Sequence, residues 1–125
     1  MKRIIITDQA PAAIGPYSQA IEVNGTLYIS GQIPLYPSTG KMVDGGIKEQ
    51  TTQVLKNIGA ILQAAGYNYS HVVKSTCLLS DMENFKDMNE VYAQYYKEEQ
   101  PARAAYGVVR LPLGALIEIE TIAVK

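Results

Sequence analysis

The chain has 125 residues, 47% hydrophobic and 18% charged, with 11 Lys plus Arg against 12 Asp plus Glu and a formal net charge of −1. This is the length and composition of a single globular domain over 1–125 that buries a real core, not of a disordered chain. The balanced charge lacks the basic footprint of a nucleic-acid binder, no apolar run approaches the ~20 residues that span a bilayer, and the first residues lack a signal-peptide pattern. The expectation is a cytoplasmic protein without nucleic-acid or membrane partners.

Residues 2–6 read as a short β-branched strand and residues 9–17 as a loop punctuated by Pro11, Gly15 and Pro16. Strands follow over 18–23 and 26–31. Between them stands Asn24-Gly25, the strongest short hairpin signal. Residues 32–46 carry Pro34, Pro37, Gly40, Gly45 and Gly46 and read as a long surface loop. Over Ile47–Ala65, Ile47, Val54, Leu55, Ile58, Ile61, Leu62 and Ala65 form one stripe at helical spacing. Gly66 stands where a left-handed cap belongs.

Residues 70–79 read as a strand. Ser80 and Glu83 have capping-box spacing and open a second helix striped by Met82, Phe85, Tyr92 and Tyr96, with Met88 and Tyr95 beside it and Asn89 on the stripe. Strands over 103–109 and 115–124 close the chain, joined through Leu111-Pro112-Leu113-Gly114. The order β-β-β-α-β-α-β-β makes an α+β fold of two layers, a sheet with two helices on one face. On the last strand Ile117, Ile119, Thr121 and Ala123 share one face, while Leu116, Glu118, Glu120, Ile122 and Val124 share the other. A solvated face is polar throughout. This mixed one implies partial cover by another subunit.

One cysteine, Cys77, excludes an internal disulfide, and one histidine, His71, excludes zinc sites built from several His and Cys. Neither metal nor cofactor is expected, and neither Cys77 nor His71 is assigned a role. Arg103 and Arg110 are the only charges between Glu99 and Glu118. Arg103 stands among small residues, so it is a carboxylate-binding fork, a structural ion-pair partner of Glu118 or Glu120, or a solvated arginine. Glu118 and Glu120 share a face, and aliphatic neighbours raise a carboxylate toward acid–base use near neutral pH. Asn89 must find hydrogen bonds, by holding a loop or by meeting a ligand. Tyr17 is fixed at a loop–strand junction, and Ser30-Gly31 ends a strand with a hydroxyl and an open backbone.

Taken together, Ala10-Pro11-Ala12-Ala13-Ile14-Gly15-Pro16-Tyr17-Ser18-Gln19-Ala20, Ile29-Ser30-Gly31-Gln32-Ile33-Pro34, Asp81-Met82-Glu83-Asn84-Phe85 with Asn89, Pro101-Ala102-Arg103, Arg110-Leu111-Pro112 and Ile117-Glu118-Ile119-Glu120-Thr121-Ile122-Ala123-Val124 resemble the RidA/YjgF family of small imine deaminases. The resemblance covers essentially the whole chain. It implies a chorismate-mutase-like fold with a mixed sheet, assembled as a homotrimer with sites between subunits. It also implies hydrolysis of 2-imino acids, such as 2-iminobutanoate and 2-iminopropanoate, to 2-keto acids and ammonia, which protects pyridoxal-phosphate enzymes from damage.

By the same resemblance Arg103 clamps the substrate carboxylate and Glu118 activates water. Tyr17, Ser30, Gly31 and Asn89 line the pocket. Ala105 offers its backbone N–H where many members carry Cys. The alternative is a module that binds a 2-keto acid in the same cleft without turnover. Relatives have also been described as ribonucleases, but a single histidine leaves no His pair for RNA cleavage.

Overall fold

The computed structural model describes residues 1–125. Its sheet has six strands, β1 (Arg3–Ile5), β2 (Ala20–Val23), β3 (Thr26–Gln32), β4 (Val72–Leu79), β5 (Ala102–Gly107) and β6 (Ile117–Val124), in the spatial order β1-β2-β3-β6-β4-β5. Only β4 and β5 run parallel, so the sheet is mixed. The expected α+β architecture is present. Helices α1 (Ile47–Ala65) and α2 (Phe85–Tyr95) pack on each other over one face of the sheet. No helix is long and apolar enough to cross a membrane.

Helix α1 has the span its periodicity predicts. Every residue of the expected stripe is buried, and Gly66 closes the helix at φ 85°. Burying a Val, Leu or Ile side chain contributes ~1.5–3 kcal/mol over leaving it exposed, so this stripe locks α1 to the sheet. Three polar residues on the same helix are buried as well, each for a hydrogen-bonding reason. Gln50 accepts from the Leu116 N–H at 2.8 Å, Asn57 donates to the Leu35 carbonyl at 3.0 Å, and Thr51 bonds back to the Ile47 carbonyl. The hairpin turns through Asn24 and Gly25 at φ 50° and 77°, the geometry the Asn-Gly pair predicts.

Several boundaries differ from the expectation. The capping box is not formed. The Ser80 N–H goes to the Leu116 carbonyl, and Asp81 takes the cap by accepting from the Glu83 N–H at 2.9 Å. That cap opens a 3₁₀ turn over Met82–Asn84, so α2 starts only at Phe85 and Met82 lies outside it, exposed. Tyr96 falls just past the helix, and Val91 joins Met88 and Tyr92 in the core. His71 ends a 3₁₀ turn, with Nδ1 accepting from the Asn68 N–H, and β4 begins one residue later. Residues 32–46 fold back on themselves. Leu35 pairs with Met42, Leu35 and Val43 are buried, and Asn57 anchors the segment to α1.

Candidate functional site

Strand β5 is an outer strand of the sheet, and Arg103 lies on its helix-facing side. Arg103 Nη1 donates to Asn89 Oδ1 at 2.6 Å. Its guanidinium carbon stands 4.9 Å from the Tyr92 ring centroid and 5.5 Å from that of Phe85. Residues 85, 89 and 92 are spaced to share one face of α2, so the helix presents a ring, an amide and a second ring to the arginine. The only ion pairs are Arg3–Glu22 and Lys48–Glu90. Arg103 is therefore not a structural partner of Glu118 or Glu120, and its remaining N–H donors are free for an anion. Asn89 meets the arginine through its oxygen and keeps its own NH₂ donors.

Ala105 follows on the same strand face. The Val108 N–H points inward to the Leu79 carbonyl at 2.8 Å. Backbone groups alternate along a parallel strand, so the N–H groups of Arg103 and Ala105 point away from β4, along the open edge. An arginine fork and an outward-pointing amide thus lie along the same sheet edge.

The second group of residues lies elsewhere. Between Ile29 and Gln32 the β3–β6 register slips by one residue, and Ser30-Gly31 occupies this bulge. Glu118, half-buried on the open face of β6, presses against Gly31: a Cβ there would lie 2.9 Å from Glu118 Cδ and would overlap Oε2. Burial, with a smaller contribution from the Glu120 charge, raises the Glu118 pKa above the usual carboxylate value. Tyr17 and Gly31 line a common hollow of about 340 Å³ with Ile14, Gln32 and Leu113. Ser30 does not offer its hydroxyl freely, since Oγ donates to the Ser18 carbonyl at 2.6 Å and fastens the loop that carries Tyr17.

Gln19 does most to hold that loop, and sequence reading missed it. Its buried amide accepts from the Thr7 N–H at 2.8 Å and donates to the Thr7 carbonyl at 3.0 Å and the Pro11 carbonyl at 2.8 Å. A polar residue directly before the buried Ala20 was the available signal.

The two groups do not meet within a chain. Arg103 aligns through Ser75 with Thr121, and Glu118 is three residues along β6 on the opposite face. Two strand spacings of ~4.8 Å and three residues at ~3.3 Å separate their backbones by about 14 Å. Cys77 is fully buried and its thiol is pushed up to about 11 by burial, which keeps it protonated and out of the chemistry.

The molecule is thus a two-layer α+β protein with an arginine free of ion pairs at its sheet edge and a half-buried carboxylate on its open sheet face. Residues 7–125 match the family described as Endoribonuclease L-PSP. A RutC family protein of Pyrococcus horikoshii is 58% identical over 125 residues, which cover 100% of this chain and 99% of that one. The human 2-iminobutanoate/2-iminopropanoate deaminase is 54% identical over 125 residues, 100% of this chain and 91% of the human protein. The crystal structure of a Yersinia pestis protein of the conserved Rid family superposes with a TM-score of 0.97 at 50% identity, covering 100% of both chains. The chain belongs to this family, the RidA/YjgF family.

Proposed function

We propose that this protein hydrolyses reactive 2-imino acids, 2-iminobutanoate and 2-iminopropanoate among them, to 2-keto acids and ammonia, sparing pyridoxal-phosphate enzymes from these imines. The observation that carries the reading is the Arg103 fork, held by Asn89 and beside the outward Ala105 N–H, with no carboxylate of its own chain to neutralise it. It is matched by a half-buried carboxylate, Glu118, whose pKa burial has raised. The deaminase name of the human relative supports the same reaction.

A 2-imino acid carries its carboxylate on the atom next to the reacting carbon, so clamp and base must converge within a few ångströms. The separation of Arg103 from Glu118 then requires two copies, one giving the arginine and the next the glutamate. The open sheet face supports such an assembly, since it presents Tyr28, Tyr106 and Val124 exposed on the side of Glu118 and Glu120. A homotrimer with a site in each cleft is the form we assign to it.

In the cleft the substrate carboxylate docks on Arg103 and the Ala105 N–H. Glu118 takes a proton from water as its oxygen bonds to the C=N carbon and the π electrons move to nitrogen. From the protonated imine this gives a neutral carbinolamine; Glu118 passes the proton to its nitrogen, takes up the hydroxyl proton as the C–N bond breaks, and ammonia leaves beside the keto acid. Such positioned proton transfer contributes ~10²–10⁴-fold.

The test generates 2-iminobutanoate from threonine with a purified dehydratase and follows its loss. Wild type should accelerate the loss and Arg103→Ala should not. Glu118→Gln should keep affinity for 2-oxobutanoate and lose rate. A wild type that binds 2-oxobutanoate without accelerating imine loss would replace hydrolysis with the binding-module alternative.

A further inference from the structure

The core behind Arg103 contains four hydroxyls that ordinary packing would exclude. Ser75 Oγ, Tyr92 OH, Tyr96 OH and Thr121 Oγ1 are all buried without a hydrogen-bond partner. They are not scattered. Ser75 is the ladder partner of both Arg103 on β5 and Thr121 on β6. The Tyr92 and Tyr96 rings lie 4.7 Å apart. Burial pushes both phenols up in pKa, and Ser75 beside them acts in the opposite direction on each. None of the four has a hydrogen-bond partner, so the Tyr92 ring is held in place by packing, against the Tyr96 ring above all.

One member of this set also touches the carboxylate clamp. The Tyr92 ring lies under the Arg103 guanidinium, with its hydroxyl at the buried end. The hydrogen bond to Asn89 fixes one guanidinium nitrogen, and a single point leaves the fork free to swing about it. A ring face supplies the second constraint, because a guanidinium stacks parallel to it. Point and plane together define the direction in which the fork's free N–H groups are aimed.

We propose that Tyr92 is a positioning residue: its ring, packed against Tyr96, sets with its face the plane of the Arg103 fork that receives the substrate carboxylate. This rests on the reading of Arg103 as that clamp. Tyr92 acts on binding and leaves the chemical step at Glu118 untouched.

The experiment compares wild type, Tyr92→Phe and Tyr92→Met, with Tyr92→Leu replacing Met should that variant not fold. Met fills similar space without a π face. Two readouts are taken: the ring-current shift of the Arg103 side-chain protons in the ligand-free protein, and kcat and KM for 2-iminobutanoate. The Met variant should lose much of the ring-current shift and raise KM roughly 3–30-fold, the range a guanidinium–ring contact supports, with kcat unchanged. The Phe variant should keep the shift and bring KM to within about twofold of wild type. An unchanged KM in the Met variant, or a fall in kcat as large as the rise in KM, overturns the assignment while the clamp stands. A wild type that neither hydrolyses 2-iminobutanoate nor binds 2-oxobutanoate overturns the clamp and the assignment together, and the ring-current shift then reports packing alone.

Discussion

The Glu118 carboxylate occupies the space that a side chain at position 31 would need. A Cβ on Gly31 would lie 2.9 Å from Glu118 Cδ and 3.2 Å from Cγ, and would overlap Oε2. Gly31 is required here for clearance, not for an unusual backbone angle, since it is absent from the positive-φ glycines. Gly31→Ala should displace the carboxylate and lower kcat about 10²-fold, the scale of a ~1 Å misplacement, while 2-oxobutanoate affinity holds. Placed in a Glu118→Gln background the same change should add little. Full additivity in steady-state kinetics would show that Gly31 acts by another route.

Glu118 also sets a pH dependence. As a base it acts ionised, and burial first, then Glu120, raises its pKa above 4.5. The hydrolysis rate should therefore fall on the acid side with an apparent pKa above that value, and Glu118→Gln should abolish this limb. Stability moves in the opposite sense. The folded chain holds the proton more tightly than the unfolded one, so the group's contribution is most favourable below 4.5 and is lost as pH rises through the raised pKa. Glu118→Gln should thus raise Tm at neutral pH, with the gain vanishing in acid. Thermal unfolding at two pH values and fixed protein concentration decides this.

The Gln19 amide staples Thr7 and Pro11 to the segment that carries Tyr17. Gln19→Leu keeps roughly the volume and removes every partner, at about 1–3 kcal/mol for each buried group left unpaired. Denaturant unfolding should show a lower midpoint at unchanged slope, and hydrolysis should weaken with it because Tyr17 loses its support. A midpoint equal to wild type would mean the loop is held by Ser30 alone.

Replacing a glycine inside a helix by alanine ordinarily stabilises by about 1 kcal/mol. Gly59 in α1 should do the reverse. A Cβ there would overlap the Tyr69 hydroxyl and lie 2.7 Å from its Cζ, and that hydroxyl donates to the Leu55 carbonyl at 2.6 Å. We expect Gly59→Ala to destabilise by roughly 1–3 kcal/mol, as overpacking does. Adding Tyr69→Phe should recover part of the loss, and a stabilising Gly59→Ala would contradict the contact.

Sequence by itself determined the elements whose signals are local. The α1 stripe and its Gly66 cap, the Asn24-Gly25 hairpin and the alternation of β6 all depend on neighbours within a few residues, and all stand as read. The family motifs pointed to Arg103 and Glu118 by their immediate context. Tertiary structure alone decided which partners the polar groups take. Ser30 spends its hydroxyl on the Ser18 carbonyl, Asn89 spends its oxygen on Arg103, and Gln50 reaches 66 positions along the chain to Leu116. It also decided that Arg103 and Glu118 face opposite sides of one sheet. That follows from the order β3-β6-β4-β5 and the alternation of side chains along each strand. Strand order is a property of the whole packed sheet and leaves no mark on the few residues around either side chain.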